Sequence, residues 1–126
     1  MLGDKDNGIK CLSRLKGDIK IILGNHDTAN KIELYTKLPN TQTIGHGLPF
    51  KYKKYHFYLS HYPTHTGNLD DNKNLRKAVI NLYGHTHQKD SNFFNDNFQM
   101  YHVGLDSHNL CPVLLTDIIE EIKTKL

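Results

Sequence analysis

Tryptophan is absent from this chain of 126 residues, and cysteine occurs only twice, at Cys11 and Cys111. Two cysteines so far apart, in no CxxC pair, make neither a disulfide framework nor a zinc knuckle. No stretch approaches the ~18 consecutive apolar residues that a membrane span needs, so no membrane partner is expected. Met1-Leu2-Gly3-Asp4-Lys5 carries neither the basic nor the apolar segment of a signal peptide. A reducing, cytoplasmic setting is the simplest expectation. Arginine is scarce too: of 16 basic residues only Arg14 and Arg76 are not lysine, and the formal charge is a mild +3. Such a charge does not by itself mark a nucleic-acid-binding domain. The run Lys51/Lys53/Lys54, interleaved with Tyr52 and Tyr55, reads as the solvated face of a hairpin.

What is plentiful is histidine, with nine residues. Histidine is the commonest metal ligand among side chains, so the placement of these nine carries information. The hydrophobic fraction of 37% and mean hydropathy of -0.59 describe a soluble globular protein. The length gives room for a single domain, 1–126, with a modest core.

Periodicity places the elements. Residues 8–16 read as a short helix with Ile9, Leu12 and Leu15 on one face, stopped by Gly17. The β-branched run Ile19-Lys20-Ile21-Ile22-Leu23 reads as a buried strand. Thr28 is the expected cap of a helix reaching about Leu38, where Pro39-Asn40 breaks the pattern. Strands are expected at 41–44, 49–53, 55–60, 78–83 and 98–103, with 63–74 a loop and one helical turn near Leu75. A last helix, capped by Thr116, turns Ile118, Ile119, Ile122 and Leu126 inward and sets Asp117, Glu120 and Glu121 toward its positive end. The order β-α-β-β-β-β-β-α predicts helices packed on a mixed sheet with antiparallel later strands.

Three polar clusters end three of these strands: Gly24-Asn25-His26-Asp27, Ser60-His61-Tyr62-Pro63 and Gly84-His85-Thr86-His87. Strand ends of α/β sheets are where rigid elements converge and loops supply side chains to a ligand. The glycines suit sharp turns and a close ion or phosphate. In Gly-His-x-His, strand alternation would bring His85 and His87 to one side, within reach of ions a few ångströms apart. His46, His56, His65, His102 and His108 fit no ligand spacing and are expected to be structural or solvent-exposed, as is Asp106, a turn acid. The Tyr and Phe residues between 50 and 62 read as strand and core filling.

In that order, Gly-Asn-His-Asp, a lone histidine after a strand and Gly-His-Thr-His resemble the last three motifs of the calcineurin-like metallophosphoesterases, most closely the small bacterial and phage members. The resemblance covers roughly residues 17–115 and includes Val103-Gly104-Leu105-Asp106. It implies a metallophosphoesterase-type α/β/β/α sandwich with mixed sheets, and a phosphodiesterase or phosphatase using metal-bound hydroxide. It implies up to two divalent transition-metal ions (Mn, Fe or Zn), with Asn25, His61 and His85 on one and His87 on the other. His26 would stand over the substrate, steadying phosphoryl oxygens or protonating the leaving alkoxide, with Asp27 orienting its ring. The substrate is then a phosphoester, nucleotides and nucleic acids included.

Two earlier motifs of that family, Asp-x-His and Gly-Asp-x-x-Asp, have no clear counterpart. Asp18 enters the strand that Gly24 leaves, placing it about 17 Å from that end at ~3.3 Å per residue. Gly3-Asp4 resembles the start of the second motif but continues Lys5-Asp6-Asn7. The fold is therefore expected to be incomplete at its N-terminal edge, with an open sheet edge at 19–23 that invites a second copy of the chain. The alternatives are a catalytically degenerate metal- or nucleotide-binding module, or a subunit completed by a partner chain.

Overall fold

A computed structural model of the chain describes residues 10, 12–64, 66, 79–87 and 100–125. Ile9, Asp4, Cys11, His65, Leu126 and the turn expected near Leu75 lie outside the described residues. The protein is mixed α/β. Its order is β1 (Ile19–Ile22), α1 (Ala29–Thr36), β2 (Thr41–Gly45), β3 (Gly47–Tyr52), β4 (Tyr55–Ser60), β5 (Val79–Tyr83), β6 (Met100–His102), a 3-10 turn (Leu105–Ser107) and α2 (Leu115–Lys125). The chain forms two compact units, Met1–Leu48 and Pro49–Leu126.

In the first unit β1 and β2 pair in parallel, from Ile19 opposite Thr41 to Ile22 opposite Gly45. Burying alternate β1 side chains sets the core: Ile21 and Leu23 pack with Leu12 and Tyr35, flanked by Ile19, Ile32 and Leu38. Ile32 and Tyr35 are three residues apart on α1 and so share one face of it. Thr28 does occupy the cap position of α1, but its hydroxyl makes no capping bond. Lys10, Leu12 and Ser13 are helical and Arg14 already turns, so Leu15 lies past the helix and is exposed rather than packed beside Leu12.

In the second unit the strand order is β3-β4-β5-β6. Lys53 and Lys54, with φ of 48° and 74°, form the two-residue turn of a β3-β4 hairpin. Positive φ at both positions matches the right-handed twist of the paired strands. The later strands are not antiparallel as the sequence suggested. β4 pairs β5 in parallel, with Phe57 opposite Ile80, and β5 pairs β6 in parallel, with Leu82 opposite Tyr101. The connections 61–78 and 84–99 exceed the dozen or so residues that a parallel crossover requires, whereas hairpins need only a few.

One face of this sheet carries Phe57, Ile80, Leu82 and Tyr101 against Ile118, Ile119 and Ile122 of α2. The spacing i, i+1, i+4 on α2 is the buried stripe of an amphipathic helix. That helix starts at Leu115, and the backbone N–H groups of Asp117 and Ile118 bond to the Leu114 carbonyl, so Thr116 sits inside the first turn and not at the cap. β5 is buried on both faces. Its Asn81 donates to Tyr58 O at 3.0 Å and Ser60 Oγ at 2.8 Å, and accepts from the Thr64 N–H at 2.8 Å. This satisfied amide locks the chain just past β4, where His61 begins its turn.

Candidate metal centre

Parallel pairing has a direct consequence for the clusters. Because β4, β5 and β6 run the same way, their carboxyl ends lie at one end of the sheet. His61 follows β4, His85 and His87 follow β5, and Asp106 follows β6. An antiparallel arrangement would have sent alternate strand ends to opposite sides.

The Gly84 N–H donates to the His61 carbonyl at 2.9 Å, tying the two strand ends together. Beyond it the extended geometry stops. The Thr86 N–H bonds to the Gly84 carbonyl at 2.8 Å, a three-residue turn centred on His85, whose φ is 64°. His87 is also left-handed, at 49°. Strand alternation therefore does not carry His85 and His87 to a common side, and the strained backbone belongs to the histidines rather than to Gly84. A γ-turn with positive φ is rare, and such residues cost about 1–3 kcal/mol each, offset by the surrounding structure. Gly84 has ordinary room: a Cβ there would stand 3.8 Å from the His61 carbonyl oxygen.

The turn brings His85 to His61. His61 Nε2 and His85 Nδ1 stand 3.1 Å apart, within hydrogen-bond distance, with the tautomers deciding which donates. The exposed Tyr62 ring lies 4.6 Å from the His85 ring and 5.0 Å from the His61 ring, centroid to centroid, and walls one side of the pair. It is not the core filling its neighbours Phe50 and Phe57 provide. His87 is held separately, with Nδ1 2.8 Å from Asp106 Oδ2.

The donor set suits a divalent cation. Two nitrogens 3.1 Å apart, each about 2.0–2.1 Å from one ion, would subtend roughly 95–100° at it, between octahedral and tetrahedral values. Imidazole donors suit Zn or Fe, and oxygen donors beside them extend the choice to Mn. Among the described residues, no group of three or more His, Cys, Asp or Glu side chains is gathered for one ion.

Asn25, His26 and Asp27 belong to the first unit. The Asp27 N–H bonds to the Gly24 carbonyl at 3.2 Å, closing a turn with Asn25 and His26 exposed at its tip. The Asp27 carboxylate fixes this turn from the inside: Oδ2 accepts from the Gly24 N–H at 2.8 Å and Oδ1 from Tyr35 Oη–H at 2.7 Å. Burial works to raise the Asp27 carboxyl, but hydrogen bonds, those from Tyr35 and Gly24 among them, hold it below the usual carboxylate range. Burial, and then the Asp27 carboxylate, push the Tyr35 phenol above its ordinary range, so it remains a donor.

Two features at this end of the sheet were not legible in the sequence. Asp106 reads there as a turn acid, although its segment Val103-Gly104-Leu105-Asp106 is part of the resemblance, and its contact with His87 spans nineteen positions. His102, the last residue of β6, is buried at 1% exposure, and its Nε2 has no hydrogen-bond partner among the described residues. No protein-family model, curated protein or solved structure matches the chain.

Proposed function

We propose that the chain is a divalent-metal-dependent phosphoester hydrolase. The observation that carries this reading is the His61 Nε2–His85 Nδ1 pair, 3.1 Å apart at the carboxyl ends of adjacent parallel strands. His61 and His85 would hold one ion and His87 a second, and the resemblance alone adds Asn25 as a neutral oxygen ligand. Bound ions would supply Lewis acidity to the phosphoryl oxygens and lower the pKa of a water toward neutrality. His26, exposed at the tip of its turn, is the residue for donating a proton to the leaving alkoxide, and Asp27 holds that turn. The roles of Asn25, His26 and Asp27 rest on the order of motifs. Tyr62 shields one flank of the imidazole pair from water.

Hydrolysis of bis(p-nitrophenyl) phosphate tests the reading. Turnover should be slow, because no carboxylate placed to bridge two ions is present among the described residues, and should require added Mn²⁺. It should fall to background in His61→Ala/His85→Ala and drop strongly in His26→Ala. Activity that survives both the double substitution and chelation would overturn it. The absence of a three-residue ligand group among the described residues favours a second reading, a metal- or nucleotide-binding module without turnover. Metal binding that depends on His61 and His85, with no hydrolysis in Mn²⁺, would select the second.

A further inference from the structure

The turn after β6 is built on a buried side chain. His102 Nδ1 lies 2.8 Å from Ser107 Oγ, and the His102 carbonyl oxygen is 2.9 Å from His108 Nε2. The ring meets Tyr83 edge-on, with centroids 5.4 Å apart. Gly104 crosses it so closely that a Cβ would stand 2.6 Å from His102 Cε1. The 3-10 turn Leu105–Ser107 is thus fastened to a buried ring that Gly104 packs against directly. Asp106 is its middle residue, and its Oδ2 lies 2.8 Å from His87 Nδ1.

A carboxylate facing one imidazole nitrogen fixes two things. It calls for a proton on that nitrogen, leaving the lone pair on the other, and it limits rotation of the ring. We propose that Asp106 is a positioning residue that holds His87 as the Nδ1–H tautomer, so that Nε2 is the atom offered to a divalent cation. The inference rests on the metal-dependent reading above, since the cation is what Nε2 would bind. Folding does not account for the pair: the His87 side chain is 84% exposed and that of Asp106 38%, and such exposed pairs contribute little to stability.

The test uses the full chain. In metal-free protein with ¹⁵N-labelled histidine, long-range ¹H–¹⁵N correlations read the His87 tautomer, assigned by its loss in His87→Gln. Wild type should show Nδ1–H, and Asp106→Ala should lose that preference. In chelator competition, Asp106→Ala should bind Zn²⁺ about 10–100-fold more weakly, the usual effect of removing such a partner. Asp106→Glu should recover part of the loss, and the denaturation midpoints should stay together. If Asp106→Ala does unfold, Asp106→Asn, which keeps the shape without the charge, takes its place and should show the weaker binding. Affinity unchanged in these variants overturns the inference and leaves the hydrolase reading standing. A wild type that binds no Zn²⁺ or Mn²⁺ overturns both.

Discussion

Burial disfavours the charged form of the His102 imidazole. It is the largest influence lowering the pKa of that ring from its ordinary 6.5, and the charge His108 would carry adds to it, with Asp106 opposing. The folded protein therefore takes up this proton less readily than the unfolded chain does. The stability linked to His102 is complete above about pH 6.5 and is lost as pH falls below that value toward the lower folded pKa. We expect the denaturation midpoint, measured in chelator at pH 7.5, 6.5 and 5.5, to fall more steeply for wild type than for His102→Phe. Parallel profiles would show that His102 stays unshifted. At this scale the sequence disclosed Asn25, His61, His85 and His87 as candidates because they sit in short motifs after strands. It did not disclose the contact of Asp106 with His87, which the fold brings together across nineteen positions, or the burial of His102.

At the scale of elements, apolar and β-branched runs marked every strand to within a few residues, because each is a short extended stretch and β1, β4, β5 and β6 carry buried side chains. Strand direction was harder to read. Nothing within Val79–Tyr83 distinguishes a parallel partner from an antiparallel one, and the signal lay in the length of the connections to either side. The conformation after β5 was less legible still, since a three-residue turn at His85 uses a positive φ that no sequence pattern announces. The β3-β4 turn offers a test of such backbone cost. Lys53 and Lys54 both hold left-handed conformations that glycine adopts freely and asparagine readily. Lys53→Asn/Lys54→Gly should stabilise the protein by about 1–2 kcal/mol, read from urea unfolding. An unchanged or lower midpoint would mean that the lysines' own contacts, such as Lys53 over the Tyr52 ring, outweigh the backbone.

For the whole molecule, the two-unit division falls within β3, at Leu48 and Pro49. The composition carried a trace of it in Gly45-His46-Gly47-Leu48-Pro49, where two glycines and a proline fall within five residues. The first unit has one exposed liability. β1 pairs with β2 along one edge, and no strand among the described residues meets its other edge. An unpaired edge of this kind templates pairing with another chain unless loops or charges cover it. We expect concentration-dependent self-association in size-exclusion chromatography with light scattering, reduced by a Lys20→Pro substitution that removes an edge N–H. A monomer at every concentration would show the edge to be covered.

The histidine pair is decided most directly by crystals grown with Mn²⁺ or Zn²⁺ and an anomalous difference map. A metal peak about 2.0–2.3 Å from both His61 Nε2 and His85 Nδ1 is the expected result. An ordered His61–His85 contact with no metal peak at saturating concentrations of either ion would contradict it.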